Sequence, residues 1–279
     1  MSTDAAVTPR TAPGWMLLAN SALAAGLALV LSKLIDSGGR LILGAVFDRA
    51  PIIYHNQVEL TAAGSDLAGA GGALAALLAG IIFLSAYPAS RAYDTSRLAV
   101  LWLILSCFRQ ALVQLAETPF KADSDLARVL VSLDAPPGLD LVVGATGGVG
   151  LLLVFMAAAP AFLAFAPHRS DIATPGKRLV FVARVAVLPA MVGVLIAVPM
   201  LLPDPGTGLV QSLPLQGLFT AVTLLAAPGT KSVEGRRERV HQPLSWALLA
   251  TVIATFIVFR FVLARGIPIP PNPQDFFAS

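Results

Sequence analysis

Charged residues are scarce in this sequence. Asp, Glu, Lys and Arg make up 13% of its 279 residues, while apolar residues make up 56%. Such a chain cannot cover itself with the charged surface of an ordinary soluble enzyme, and its mean hydropathy of +0.78 indicates a membrane protein instead. Because about 20 apolar residues cross a bilayer, the length leaves no room for a large soluble domain.

Cysteine and histidine are almost absent. The single cysteine, Cys107, excludes an intramolecular disulfide and lies in an apolar run, where a packed thiol is expected. The three histidines, His55, His168 and His241, fall in predicted loops rather than on facing membrane helices. No Gly-x-Ser-x-Gly elbow occurs. The sequence therefore predicts no metal, no cofactor other than structural lipids, and no enzymatic activity.

Apolar segments separated by short polar loops predict an all-α fold, a polytopic transmembrane helix bundle with six or seven spans. Gln211, Pro214 and Gln216 make the sixth span the weakest, and Pro189 and Pro199 are expected to bend the fifth. The segments run from Trp15 to Ile35, Ala62 to Tyr87, Leu98 to Ala116, Leu139 to Ala166, Leu179 to Leu202, Leu209 to Ala227 and Leu244 to Ala264.

The chain is predicted to form a single integral membrane domain over residues 1–279. Residues 1–13 are a cytoplasmic tail, 14–135 hold helices one to three with a polar core, 139–265 hold helices four to seven, and 266–279 form an extended proline-rich tail. Residues 36–59 are expected to continue helix one and then lie at the interface.

The net charge of +3 comes from basic residues in short loops, which indicates membrane topology and no binding of nucleic acid. The predicted partners are the lipid bilayer and, from small-residue helix faces, short loops and the extended tail, other integral membrane protein subunits. The loop before span six has no Lys or Arg, whereas the loop after it contains Lys231, Arg236, Arg237 and Arg239. Because cytoplasmic loops are enriched in basic residues, we expect a bacterial inner-membrane protein with a cytoplasmic N-terminus and an external C-terminus.

Small residues recur on two of the spans. Close packing against another helix is predicted, because glycine and alanine let two backbones approach inside a membrane. A dinucleotide-binding loop is disfavoured, since no βαβ pattern surrounds these glycines. The helix-packing positions are Gly64, Ala68, Gly72, Ala76 and Gly80 on span two, and Gly144, Gly147, Gly148 and Gly150 on span four.

A few charged side chains fall where lipid would make them costly, at about 2.5 to 3.5 kcal/mol each near the bilayer centre. Lys33, Asp36 and Arg40 would share one face of a continued helix one. We predict that Asp36 and Asp66 neutralise Arg109 and Arg40 between the first three helices. Arg184 and Arg260, near span ends, should reach the headgroups. The candidate buried polar cluster is Lys33, Asp36, Arg40, Asp66, Arg109, Gln110, Gln114, Asp123 and Asp125.

Three segments carry a family resemblance. They are Ile35-Asp36-Ser37-Gly38-Gly39 with Arg40-Leu41, then Ala63-Gly64-Ser65-Asp66-Leu67-Ala68, and then Gln114-Leu115-Ala116-Glu117-Thr118-Pro119 with Asp123-Ser124-Asp125. Over about residues 28 to 135 the chain resembles the site-2-protease type of intramembrane zinc metalloprotease. The first segment is similar to the family's His-Glu-x-x-His helix, the second to a helix that opens with Ala-Gly, and the third to Asn-Leu-x-Pro followed by Leu-Asp-Gly.

The resemblance implies a helical scaffold whose metal centre has become a salt-bridged or hydrogen-bonded polar cluster. Asp36 stands at the position of the general-base glutamate, but both histidine positions are lost, so there is no metal-bound water for it to activate. An aspartate in the third segment, without imidazole or thiolate partners, cannot hold zinc tightly. Proteolysis is therefore not expected.

Three functions remain open. The first is a non-enzymatic scaffold that acts as an accessory, assembly or structural subunit of a larger membrane complex. The second is a small-molecule or ion transporter, indicated by charges and prolines within the spans. The third is a membrane-embedded metalloprotease-like or lipid-acting enzyme that uses Asp123, Asp125 or Asp134 near the interface.

Overall fold

The computed structural model describes residues 14–47, 51–53, 58–60, 66–87, 94–201, 205–230, 243–263 and 267–268. Several predictions fall outside these residues: the N-terminal tail 1–13, His55, Gly64, the basic loop with His241, and nearly all of the C-terminal tail.

The chain folds as a bundle of helices, which confirms the predicted fold class. Its α-helices are α1 Gly14–Val46, α2 Ala70–Ala86, α3 Thr95–Glu117, α4 Asp125–Ser132, α5 Leu139–Leu163, α6 Pro175–Val182, α7 Leu188–Leu201, α8 Pro205–Gly229 and α9 Trp246–Ile257. A 3₁₀ turn at Asp66–Gly69 leads into α2 and another lies at Arg169–Ile172. A π-helical segment, Ala183–Val187, joins α6 to α7, and a second, Val258–Val262, extends α9.

Among the described residues, five helical segments are long and apolar enough to cross a membrane, so the chain is a polytopic membrane protein by fold. They are Gly14–Val46, Asp66–Ala86, Thr95–Glu117, Leu139–Leu163 and Pro175–Met200. In α8 and α9 the apolar stretches are shorter, Leu215–Gly229 and Trp246–Val262. The crossing of spans six and seven therefore stays a prediction.

Two details of the spans differ from the sequence-based expectation. Helix α8 runs unbroken from Pro205 to Gly229, although Pro214 was expected to interrupt it. In span five the irregularity is the π-helical segment, which ends just before Pro189. A π-helical turn carries an extra residue and is a common way to accommodate a local break in the i to i−4 hydrogen bonding.

A small antiparallel sheet, which the sequence did not reveal, accompanies the bundle. Strands β1 Pro51–Ile53, β2 Val58–Leu60 and β3 Ile267–Pro268 pair in the order β2-β1-β3. Ile53 pairs with Ile267, so the segment after α1 meets the start of the C-terminal tail. Residues 36–46 do continue helix one, as expected.

Several helices start where they do because the residue just before the helix caps it with its side chain. The Asp94 side chain accepts a hydrogen bond from the Arg97 backbone N–H. In the same way, the side chains of Ser124, Thr174 and Ser245 each accept from the backbone N–H of the residue three positions later. Each cap satisfies one of the amide donors that a helix leaves unpaired at its start. Burial raises the pKa of Asp94, but hydrogen bonds from Ser96 and the Arg97 backbone outweigh it and hold that pKa below its usual value.

Helices α1 and α3 run parallel, and they define the two ends of the bundle. Ser21 accepts a hydrogen bond from Trp102 Nε1 at 2.8 Å, and further along both helices Gln114 Nε2 donates to Asp36 at 2.7 Å. The near end is where these helices begin, at Gly14 and Thr95, and the far end is where they finish. Helix α5 runs the other way, since its start packs on Pro119. The helix directions therefore alternate as a multi-span chain requires.

Asn20 ties three segments together at the near end. Its Nδ2 donates to the carbonyl of Pro243 at 2.8 Å and to Thr95 Oγ1 at 3.2 Å, while its Oδ1 accepts from the Ser245 backbone N–H at 2.9 Å. The side chain is fully buried. Because buried amides cost stability unless their donors and acceptors are satisfied, Asn20 fixes the start of α9 beside α1 and α3.

The π-helical segment is held against α1 by a second polar contact. Ser21 Oγ donates to the carbonyl of Val185 at 2.6 Å and accepts from Trp102 at the same time. Further toward the far end, Gly26 lies against Gly193 and Ile196 of α7, with no space for a side chain. Helices α1 and α7 therefore pack closely along much of their length.

Helices α1 and α2 touch backbone to backbone at a pair of glycines. A Cβ added at Gly39 would overlap the carbonyl oxygen of Gly71, and one added at Gly71 would overlap the carbonyl oxygen of Gly39. Backbone cannot move aside as a flexible side chain can. The two glycines thus let the far end of α1 lie directly on the start of α2.

Gly39→Ala should lower the free energy of unfolding by about 1 to 3 kcal/mol, because overpacking forces the two backbones apart. The matched control is Gly38→Ala, one residue earlier on the same helix, where nothing lies within 4 Å of the added methyl. That control should be neutral or stabilise by about 0.5 to 1 kcal/mol, since alanine favours helix more than glycine does. Unfolding in a denaturing-detergent titration measures both, and equal effects would contradict this packing.

Candidate functional site

The continuation of α1 beyond Ile35 places three charged side chains on one helix face. Asp36 lies at the centre with its side chain 1% exposed. Its Oδ2 is 3.5 Å from Lys33 Nζ and 3.4 Å from Arg40 Nε. Spacings of three and four residues bring side chains together on a helix, so α1 carries its own pair of counter-ions for this carboxylate.

Helices α2 and α3 enclose the Asp36 carboxylate from the other sides. Gln114 Nε2 donates to Asp36 Oδ1 at 2.7 Å and also contacts the Gln110 carbonyl at 3.3 Å. On the α2 side, a Cβ at Gly72 would overlap Asp36 Oδ1. Glycine at this position leaves the space that the carboxylate fills. The buried carboxylate therefore accounts for the small residue at position 72.

Arg40 extends the cluster out of the spanning helices to α4. Its guanidinium forms an ion pair with Asp125 Oδ2, and Asp125 Oδ1 accepts from Arg128 at 2.6 Å. Asp125 lies in the first turn of α4, where a carboxylate is favoured by the helix dipole. Gly69 packs directly on it, with no room for a side chain between them.

We call the five charged residues Lys33, Asp36, Arg40, Asp125 and Arg128 the far-end ion cluster. It contains three cations and two carboxylates, and exposure rises from 1% at Asp36 through 24% at Arg40 to 52% at Arg128. With a rise of about 1.5 Å per residue, Asp36 is about 33 Å along α1 from Gly14. The cluster therefore runs from the interior of the bundle to its surface at the far end.

The predicted partner of Asp36 is partly wrong. Arg109 makes neither a hydrogen bond nor an ion pair within the described residues, and Lys33, Arg40 and Gln114 surround the Asp36 carboxylate instead. Asp36 and Arg109 lie on parallel helices, but Arg109 is more than one helical turn nearer the middle of α3 than Gln114. Helix spacing alone could not give this difference in depth.

The remaining candidate residues lie at different places. Asp66 opens the 3₁₀ turn before α2, and Gln110 belongs to the part of α3 facing the cluster. Asp123 is exposed in the turn between α3 and α4 and makes no hydrogen bond or ion pair with the described chain. Asp134, also exposed, has a positive φ of 48° just after α4. These two carboxylates are not assembled with the far-end ion cluster.

The small-residue positions divide into packed and uncovered ones. Gly80 faces Phe108 of α3, and Ala68 and Ala76 are fully buried. Gly144 lies against Pro119, with Gly147 and Gly150 against Ala116 and Leu112. Gly148 has nothing within 4 Å in the described structure. The small-residue face of span two is thus packed against other helices where it is described, whereas α5 keeps one glycine on its outer side.

No three His, Cys, Asp or Glu side chains come together as a metal site in the described parts of the chain. The family resemblance places Asp36, and an aspartate of the third segment such as Asp125, at positions of the protease's catalytic centre. Both carboxylates contact Arg40. A guanidinium therefore lies between them and satisfies their charge. The arrangement can hold helices in register and link α1 to α4, which is a structural role.

Sequence reasoning missed several polar residues inside the bundle. Asn20 and Ser21 are fully buried yet stood unremarked in the apolar run of span one, where two adjacent polar residues were the available signal. Gln216 was read as an interruption of span six, but it is 5% exposed and faces a recess shared with Arg109. The contact of Arg40 with Asp125 joins residues far apart in sequence and had no local signal.

No protein-family model matches the chain, and neither a curated protein nor a solved structure does. The likeness to site-2 proteases therefore stays a prediction.

A double-mutant cycle distinguishes the observed pair from the expected one. Asp36→Asn should lower the free energy of unfolding by about 2 kcal/mol, because it leaves the partly buried Lys33 and Arg40 without their carboxylate. Combined with Arg40→Gln it should show a coupling energy of about 1 to 3 kcal/mol, whereas combination with Arg109→Gln should be additive within about 0.5 kcal/mol. Denaturing-detergent titrations of the single and double variants measure this. Additivity with Arg40, or coupling with Arg109, would contradict the geometry.

Proposed function

We propose that this protein is a non-enzymatic membrane scaffold, an accessory or structural subunit that binds another integral membrane protein in a bacterial inner membrane. The observation that carries the proposal is the uncovered face of α5 around Gly148. Helix α5 has the smallest buried share of the five long apolar helices, 28%. A membrane helix that offers a glycine to its surroundings allows a second helix to approach its backbone closely.

The outer face of α5 has the shape that helix pairing needs. Gly148 is flanked at helical spacing by the exposed residues Ala145, Val149 and Leu152. Small residues give the shallow groove, and the aliphatic side chains beside it supply contact area. Since lipid is as apolar as leucine, association would come from close packing rather than from burial of apolar surface.

The far-end ion cluster supports a structural role. Its carboxylates contact cations of the same chain, and its members connect the end of α1 to the short helix α4. Breaking such a pair is costly while keeping it adds little net stability, so buried ion pairs are often retained to fix register. A rigid far end suits a protein that presents one helix face to a partner.

The resemblance to site-2 proteases fits the same proposal. In that comparison Asp36 holds the general-base position and an aspartate of the third segment holds the position of the last zinc ligand. Arg40 contacts both Asp36 and Asp125. A guanidinium in place of a metal ion would turn a catalytic centre into a purely structural cluster, and we extend the proposal to a protease-like scaffold without zinc.

Gly148→Leu should release the protein from its complex without unfolding it, because the added side chain fills the groove that the partner helix occupies. Gly217→Leu is the matched control, since Gly217 is an exposed glycine on α8 that also has nothing within 4 Å. Native gels of mild-detergent extracts measure complex size, and thermal unfolding reports on the fold.

A cysteine at position 148 in a Cys107→Ser background should cross-link to the partner, whereas a cysteine at 217 should not. Extraction of the wild type solely as a monomer under several gentle conditions would contradict the proposal. Equal disruption by Gly148→Leu and Gly217→Leu would show that α5 is not the contact face.

The second candidate is a transporter, favoured by one observation: Arg109, a charged residue inside a span, faces a recess without a partner in the described structure. Unpaired charges that face cavities inside a bundle often mark substrate or ion paths. The scaffold proposal expects no flux of protons or small anions across liposomes that contain the protein. Flux in the wild type that Arg109→Gln abolishes, and that Asp36→Asn also lowers, would replace the scaffold with the transporter.

A further inference from the structure

A recess lies in the middle of the bundle between α1, α3, α7 and α8. Its cavity volume is about 20 Å³. Leu29, Leu105 and Phe219 form apolar walls, and Ala25 and Ala190 widen it by their small size. A space of this size takes about one water-sized polar group, so only the polar end of a ligand could enter it.

Three polar side chains face this recess without a protein partner. Ser106, Arg109 and Gln216 make no hydrogen bond or ion pair with any part of the chain that the structure describes. Ser106 and Gln216 are 4% and 5% exposed. Buried polar groups in proteins are nearly always hydrogen-bonded. Three such groups around one small space indicate that a polar atom from outside the chain, from water or from a ligand, contacts them there, and the unpaired charge of Arg109 favours an anionic group.

The recess lies at hydrocarbon depth rather than at a membrane boundary. Arg109 is about 21 Å along α3 from Thr95 and about 12 Å before Glu117, at a rise of 1.5 Å per residue. On α8, Gln216 is about 20 Å from Gly229 by the same measure. Snorkelling does not account for Arg109, because α1, α7 and α8 surround the space that it faces.

The charge in the recess has one sign. None of the described residues that line it is acidic, and the nearest candidate carboxylate, Asp36, is already in contact with Lys33 and Arg40. A guanidinium binds a carboxylate or a phosphate through two parallel hydrogen bonds. The Gln216 amide and the Ser106 hydroxyl offer further donors to the same group.

We propose that this recess binds the carboxylate or phosphate group of an amphiphile, with Arg109 as its counter-ion. The polar end of the ligand enters between Leu29, Leu105 and Phe219, and its apolar part continues outside the recess. These walls and the hydrocarbon depth favour a membrane amphiphile over a small soluble anion. The site is independent of the α5 face, so it does not require the scaffold proposal to hold.

Equilibrium binding to the full-length protein in phosphatidylcholine nanodiscs tests the proposal. The probes are radiolabelled oleate and dodecyl phosphate, with oleyl alcohol as the uncharged analogue. The wild type should bind one of the two anions saturably and oleyl alcohol at least about tenfold more weakly, since the alcohol lacks the charged oxygen group. Equal binding of the alcohol and the anions, or no saturable anion binding, would overturn the proposal.

Arg109→Gln should weaken anion binding by about tenfold or more, and Arg109→Lys by less, because lysine keeps the charge but not the two-bond geometry. The matched control is Arg260→Gln, which removes the same charge from an exposed position outside the recess and should leave binding unchanged. Equal affinity in wild type and Arg109→Gln would overturn the proposal.

Two further arms keep the result interpretable. Ala190→Leu retains Arg109 but fills the recess, so it should abolish binding even if Arg109→Gln fails to fold, and thermal unfolding checks each variant. Undiminished binding in Ala190→Leu would overturn the proposal. Competition by benzoate or inorganic phosphate would support the site and identify a soluble anion as its source, while lack of competition would identify the membrane amphiphile.

Discussion

The carboxylate of Asp36, enclosed where three helices meet, is the constraint on which the far half of the molecule depends. Lys33 and Arg40 lie on its own helix, Gln114 reaches it from α3, and Gly72 of α2 leaves the space it fills. A buried charge is tolerable only when several groups satisfy it together. The positions of these helices are therefore coupled, and through Arg40 and Asp125 the coupling extends to α4.

The near half of the bundle is held by a different chemistry. Asn20 and Ser21 are neutral, and they satisfy backbone and side-chain groups of α3, the π-helical segment and the start of α9. Neutral hydrogen bonds avoid the cost of desolvating an ion. Between the two halves lies an aromatic core, where Trp102 and Phe155 contact Phe219 with ring centroids 6.0 and 5.2 Å apart. The recess with Arg109 opens beside this core.

Hydropathy predicted the helices because each span repeats one simple requirement, about 20 apolar residues in a row. Helix spacing likewise predicted that Lys33, Asp36 and Arg40 share a face. It could not predict depth or distant partners. Gln114 rather than Arg109 meets Asp36 because of how far α1 and α3 slide past one another, and Asp125 reaches Arg40 because α4 folds back at the far end. The position of Gln216 in the recess could not be predicted, because it depends on Arg109 and Ser106 of α3 and not on the sequence around Gln216.

The π-helical segment Ala183–Val187 also sets the rotation between the two halves of span five. Each residue in an α-helix turns the chain by about 100°, so an extra residue in one turn rotates all that follows by a similar angle. Arg184, within the segment, lies beside Gly14 of α1. Gly193, after the segment, faces Gly26 of the same helix. A single unbroken α-helix could not present both positions to α1 in the same way. Removing one residue here would keep every side chain of α7 but turn its glycine away from α1.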